Sequence, residues 1–259
     1  MTTLGATIAG IGFWADGLPS WDAALAFARD GTLPAEAPAK PSPQLLAPNE
    51  RRRAPETVAI ALEVAQAACV AAGRDPAALP SVFASTHGDL AITDYMCETL
   101  AASPGDISPT RFHNSVHNAA AGYWTIGTGC RQPATALSAH RGSFAQGLLE
   151  ALAQLATGSD AVLLVAYDTA ARGPLGSQAR SAGLLGAALL LARDGAGPRL
   201  RARLDGGEPA PVDGPLARHA QENAMAPMLP LFDALAAGAR DVRLEAGGGR
   251  VLCVEVDHG

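Results

Sequence analysis

Hydrophobic residues along this chain come in short runs whose spacing switches between strand and helix periods, with glycine and proline between them. Residues 4–14 are apolar and glycine-spaced, which predicts a strand leading into a loop. Ser20 stands before Trp21 and Asp22 as a helix cap, and Leu25, Ala26 and Phe27 support a short helix ending near Gly31. Prolines at 34, 38, 41, 43 and 48 then exclude regular structure over residues 32–48. Pro55 suits a first helical turn, and residues 56–72 are apolar on more than one face, so this helix should be largely buried before Gly73 closes it.

The middle of the chain continues the alternation. Residues 79–85 read as a short central strand, and His87-Gly88-Asp89 turns the chain into a helix reaching about residue 102. A loop over 103–109 delivers the polar stretch from Arg111 to Asn118, which Pro109, Asn114 and Asn118 mark as irregular and turn-rich. A helix over 119–127, a strand over 132–137, a helix over 143–157 stopped by Gly158, and a strand over 161–167 follow. Residues 182–192 and 199–204 read as adjacent strands, 230–237 as a helix, and 241–245 with 251–256 as a closing pair joined by Gly247-Gly248-Gly249. Such alternation predicts a layered α/β architecture around a mostly buried sheet.

With 259 residues, 48% of them hydrophobic, the chain can fill one core, and it is read as one domain over 1–259. The net charge of −6, with 25 acidic against 19 basic residues, excludes bulk attraction to a nucleic-acid backbone or an anionic membrane. Arg51, Arg52 and Arg53 are too few to define a nucleic-acid surface and read as a solvated cluster or a patch for an acidic partner. Cys69, Cys97, Cys130 and Cys253 are scattered without a CxxC pair, which suits reduced thiols and no metal site. The expectation is a cytoplasmic chain without a leader, a membrane span or a cofactor.

Several segments together resemble a ketosynthase: Arg51-Arg52-Arg53 before a buried helix, Val82-Phe83-Ala84-Ser85-Thr86-His87-Gly88-Asp89, Ile107-Ser108-Pro109-Thr110-Arg111-Phe112, and Asn114-Ser115-Val116-His117-Asn118 through Ala121-Gly122-Tyr123-Trp124. The likeness covers most of residues 50–193 and is nearest to the short ketosynthase-like proteins of aryl-polyene pigment pathways. It implies a thiolase-like layered fold, truncated to roughly the N-terminal half of a ketosynthase (1–193) with a short strand-rich completion (194–259). It also implies a chain-length partner that pairs with a catalytic ketosynthase and works on an acyl carrier protein, through an interface formed by residues 132–137, including Thr135 and Leu137, and by the loop ending at Asn118. With half an enzyme missing, one side of the fold would lie uncovered and the chain alone would be poorly soluble.

Where the family carries a cysteine in a Thr-Ala-Cys motif at a helix start, this sequence reads Leu137-Ser138-Ala139-His140-Arg141-Gly142-Ser143. A histidine does not readily replace a thiolate in forming an acyl thioester. The family's two later histidines are missing as well, because His219 and His258 lie in no matching motif. Cys130 and Ser143 are the remaining nucleophile candidates, each more simply read as a buried thiol and a helix-start hydroxyl. His113 and His117 hold a buried loop together or line a partner or acyl surface, as do Asn114 and Asn118; a zinc site lacks further ligands. Phe112, Tyr123 and Trp124 are ordinary core or one apolar wall ending an acyl tunnel. Two other readings stay open: acyl-thioester hydrolysis or transfer using His140, and a carrier-protein docking scaffold using Arg51, Arg52 and Arg53.

Overall fold

Segments without an exposed residue become the central strands of the computed structural model, which describes residues 2–259. These are β2 (Ser81–Ala84), β4 (Ala161–Asp168) and β5 (Leu185–Ala192). With β1 (Leu4–Ala15), β3 (Ala134–Leu137), β6 (Arg199–Gly206), β7 (Asp241–Gly247) and β8 (Arg250–Asp257) they form one sheet in the order β3-β2-β4-β5-β1-β6-β8-β7. β3, β2 and β4 are parallel, and every pairing from β4 to β7 is antiparallel. The helices in chain order are α1 (Trp21–Asp30), α2 (Pro48–Arg53), α3 (Glu56–Ala72), α4 (Leu90–Ala102), α5 (Pro109–Asn114), α6 (Ala119–Thr128), α7 (Ser143–Ala156), α8 (Gly173–Gly176), α9 (Pro215–His219) and α10 (Leu229–Ala237).

Two expectations need correction. β5 and β6 are not adjacent: β1 lies between them, with Thr7 opposite Ala192 on one side and Arg199 on the other. The connection wraps around β1, where the Ile8 amide donates to the Pro198 carbonyl at 2.8 Å. β6 pairs with the first residues of β1, Leu4–Thr7, and β5 with the remainder, Thr7–Ala15, so this apolar strand is paired along its length and joins the two halves of the sheet. The second correction concerns Pro109–Asn114, read as irregular. It is a helical turn and a half capped by Ser108, with proline in its first turn.

The sheet is covered on both faces. α3 and α6 lie on one, around Ile60, Leu62, Val64, Trp124, Leu163 and Val165. α3 presses so closely on β1 that a Cβ at Gly12 would come within 2.0 Å of the Val64 carbonyl oxygen, which explains the glycine spacing of that strand. On the opposite face α7 turns Phe144, Leu148, Leu152 and Leu155 inward. The side expected to lie bare is covered by the chain's own C-terminal part: Met225, Met228, Leu229, Leu231 and Phe232 belong to the same core. The Phe232 ring sits 5.7 Å from Phe13, 5.9 Å from Trp21 and 6.0 Å from Phe144.

Phe232→Ala should therefore cost about 3–5 kcal/mol of stability in denaturant unfolding. Val70→Ala, at a side chain 73% exposed, should stay within about 0.5 kcal/mol of the parent.

Candidate functional site

The chemistry-bearing residues gather where the parallel strands β2, β3 and β4 end, because each strand there gives way to a turn. β4 is apolar until its last residue, Asp168, whose side chain is buried with the rest of the strand. Its carboxylate accepts from the Ser85 hydroxyl at 2.7 Å and from the Thr86 amide at 3.0 and 3.1 Å. The Ser85 oxygen in turn accepts from the Gly88 amide at 2.9 Å, so the turn after β2 folds around the end of β4. Further contacts tie in the neighbours. The Ser138 hydroxyl donates to the Thr86 carbonyl (2.9 Å), His117 Nε2 donates to the Ser85 carbonyl (3.1 Å), and the Asn223 amide donates to the Asp168 carbonyl (3.2 Å).

His140 sits on this platform. The chain leaves β3 and enters α7 through a 3-10 turn, His140–Gly142, and His140 has a φ of 53°, the left-handed value of the only such non-glycine residue among those described. That conformation costs about 1–2 kcal/mol and persists only where surrounding contacts fix it. Here they do: the Ser143 hydroxyl accepts from the Ala139 amide at 2.9 Å and donates to the His140 carbonyl at 2.6 Å. β7 closes the other side, with Arg141 Nε 2.8 Å from Glu245 Oε2 and the Gln146 amide 2.7 Å from the Ala246 carbonyl. A Cβ at Gly142 would lie 2.9 Å from the Ala246 carbonyl carbon. His140 opens into a cavity of about 610 Å³ lined also by Thr86, His87, Arg180, Glu222 and Asn223.

The other nucleophile candidates are not assembled with it. Cys130 is buried at the opposite ends of β2 and β3, its thiol 3.4 Å from the Leu79 carbonyl. The Ser143 hydroxyl is engaged by the turn's backbone on both sides, so no Ser143–His140 imidazole pair is built. Among the described residues no group of three His, Cys, Asp or Glu side chains is placed to hold a metal.

Phe112, Tyr123 and Trp124 do not form one wall. Phe112 is 61% exposed, whereas Trp124 is fully buried under α3. Tyr123 lies between, donating from its hydroxyl to Asn114 Oδ1 at 3.1 Å, with His113 edge-on to its ring. His117 and Asn118 line a shallow groove of about 440 Å³ with Ala121, Gly122, Thr125, Ala134 and Ala136. This groove lies beside β3, which pairs only with β2. The Pro133 and Leu137 carbonyls accept from the Ser81 and Ser85 amides, so Ala134 and Ala136 point their backbone groups outward from the sheet. Thr135 and Leu137 are half-buried, and Leu137 packs toward the α7 core. The three arginines differ: Arg51 is half-buried and donates to the Leu46 carbonyl at 3.0 Å, Arg52 bonds Asn49, and Arg53 is exposed.

Asp168, Ser85 and Asn223 escaped the sequence reading as site residues. A lone carboxylate closing an otherwise apolar strand was the available signal, because buried acids are rare unless partnered.

Parallel strands ending at a strained turn into a buried helix make this a thiolase-like layered α/β fold. The family model described as "Beta-ketoacyl synthase, N-terminal domain" matches residues 24–250, and the chain belongs to that family. The match extends beyond residues 50–193 on both sides and reaches the first residue of β8. Curated proteins gave no match. Among solved structures, a ketosynthase (ApeO) in complex with its chain length factor (ApeC) from Xenorhabdus doucetiae is similar at 21% identity and a TM-score of 0.77, covering 97% of this chain and 99% of the matched one. The ishigamide ketosynthase/chain length factor is similar at 15% identity and 0.73, covering 98% and 99%. A type II polyketide acyl-carrier protein complex with its ketosynthase, AntDE:AntF, is similar at 12% identity and 0.74, with full coverage of both chains. At these identities the likeness is one of fold.

Burial raises the Asp168 carboxyl above its ordinary 3.8, partly offset by the bonds from Thr86 and Ser85. Asp168→Ala should cost about 3 kcal/mol by leaving buried donors unpaired, and Asp168→Asn, which keeps one acceptor oxygen, less. Because the folded state holds the proton more tightly than the unfolded chain, the parent should lose stability relative to Asp168→Asn as pH rises from 3.8 through the folded value. Paired unfolding curves across that range check the sign.

Proposed function

We propose that this chain is a non-catalytic, ketosynthase-like chain length factor. It heterodimerises with an active β-ketoacyl synthase in the cytoplasm and shapes polyene or fatty-acid-like chain elongation on an acyl carrier protein. The observation that carries the reading is His140: it stands on the helix-entry turn where the family's nucleophile belongs, in a cavity that no cysteine lines. Residues 1–259 act as one ketosynthase-like domain in this reading, with 194–259 serving as the completion of a 1–193 core.

The partner's place is supported by the free edge of β3 and the small-residue groove beside it, whose lining residues His117 and Thr125 adjoin exposed Val116 and Ile126 in the chain. Unpaired outward backbone groups on an edge strand invite pairing with another chain. Thr135, Leu137, His113, Asn114, His117, Asn118, Tyr123 and Trp124 then belong to the interface or to the support behind it, and Arg52 and Arg53 to the face that meets the acidic carrier protein. The similar structures contain a ketosynthase with a chain length factor or an acyl-carrier protein, which is consistent with this assignment. A second reading, acyl-thioester chemistry at His140, draws on its strained backbone and the nearby His87.

Co-expression with a catalytic ketosynthase from the same genome, followed by mass determination of the eluted complex and an elongation assay, separates these readings. The expected result is a heterodimer with activity that neither chain has alone. Thioester turnover by the purified chain, abolished by His140→Ala, would establish the second reading instead. Ala136→Pro removes an outward amide while sparing the bonds to β2, so it should leave the chain folded and weaken the heterodimer at least about tenfold, measured by titration of the two subunits.

A further inference from the structure

Three arginines from distant parts of the chain converge on a second cavity, of about 530 Å³, that shares no lining residue with the His140 cavity. Arg53 comes from the end of α2, Arg111 from α5, and Arg172 from the segment after β4. None of the three forms an ion pair among the described residues. Two carboxylates also line the cavity, and both are engaged elsewhere. Glu56 pairs with Lys40 at 2.6 Å, while Asp89 accepts from the Thr57 hydroxyl and the Ile92 amide, each at 2.9 Å. With Glu56 already paired and Asp89 the one carboxylate left against three guanidiniums, the cavity carries an excess of positive charge in a chain whose net charge is −6.

The donors are held in place. The Arg111 guanidinium lies 3.9 Å over the Tyr95 ring, a stack that fixes its plane and leaves its N–H edges free. Tyr95 is itself fixed by the Ser108 amide, which donates to its hydroxyl at 3.0 Å. Asn114 is 4% exposed and lines the cavity; its Oδ1 accepts from Tyr123, and its amide nitrogen has no partner among the described residues. Ser108, whose hydroxyl caps α5, and Thr110 complete the lining. The first turn of α4 borders the cavity through Ala91 and Ile92, but its positive end is already taken by the Asp89 cap, so the arginines and Asn114 supply the donors.

We propose that this cavity is a binding site for a phosphate group, separate from the His140 cavity. A carboxylate offers two oxygens, too few for three guanidiniums and an amide, whereas a phosphate monoester offers three acceptor oxygens and close to two negative charges. The inference does not depend on the subunit role proposed above. The phosphate reaches the cavity as the inorganic ion or as the monoester of a small organic molecule such as free 4′-phosphopantetheine, and the two sources separate experimentally.

Calorimetric titration of the full chain at constant ionic strength, with inorganic phosphate, 4′-phosphopantetheine and pantetheine as probes, tests the site. Saturable binding of the phosphorylated probes at about millimolar concentration or tighter, with none for pantetheine, is expected. Tighter binding of 4′-phosphopantetheine than of inorganic phosphate assigns an organic monoester as source, and equal affinity assigns the free ion. Arg111→Gln with Arg172→Gln should weaken binding at least about tenfold. Asn114→Asp, which adds a carboxylate to the lining, should do the same while circular dichroism shows the fold retained. No saturable binding by either phosphorylated probe, affinity unchanged in the double variant, or equal competition by acetate at the same ionic strength would overturn the proposal.

Discussion

The carboxylate of Asp168 is the point to which the whole active end of the sheet is referred. Ionising a buried acid is unfavourable unless donors converge on it, and here the donors come from the turn that follows β2. That demand fixes the Ser85–Gly88 turn, and through Thr86 and Ser85 it fixes Ser138, at the exit of β3, and His117, ahead of α6. Asn223 brings the C-terminal part to the same strand end by donating to three carbonyls, those of Asp168, Ala182 and Gly183. Residues at or next to this knot line both cavities: Thr86, His87 and Asn223 the one at His140, Asp89 and Thr169 the one with the arginines.

A second constraint is the covering of α7. A helix with Phe144, Leu148, Leu152 and Leu155 turned to one side needs a partner layer, and the chain supplies one with α10, the Met225–Met228 stretch and β7. The same layer reaches the His140 turn, where Glu245 holds Arg141 and the Ala246 backbone lies against Gly142. Packing and site geometry are thus produced by one set of contacts. The surface left without a partner is at the other end of the sheet, at β3.

Much of this was legible in the sequence, because the strongest periodic segments needed no tertiary information. The buried helix over 56–72, the helix caps at Ser20 and Gly73, and the strand over 161–167 follow from local pattern alone. Sheet order did not, since hydrophobic period says which faces a strand buries and nothing about which neighbour it takes; β1 between β5 and β6 was therefore invisible. The short α5 was hidden by its proline and polar residues, which signal a turn as readily as a first helical turn. His140 was found because it stands where a cysteine was expected. Arg111 and Arg172 were missed because only the fold brings them beside Arg53.

The placement of β1 also has a consequence for how the chain is made. β1 emerges from the ribosome before the other strands, yet its two neighbours lie beyond residue 184, so a strongly apolar segment waits for most of the chain before it can pair. Contacts this distant in sequence form slowly, and the exposed interval favours misassembly. The β2–β4 layer with α3 and α7 can collapse earlier, leaving a slot into which β1 and then β6 must enter. Synthesis rate and chaperone supply, more than final stability, would then set the yield of correctly threaded protein.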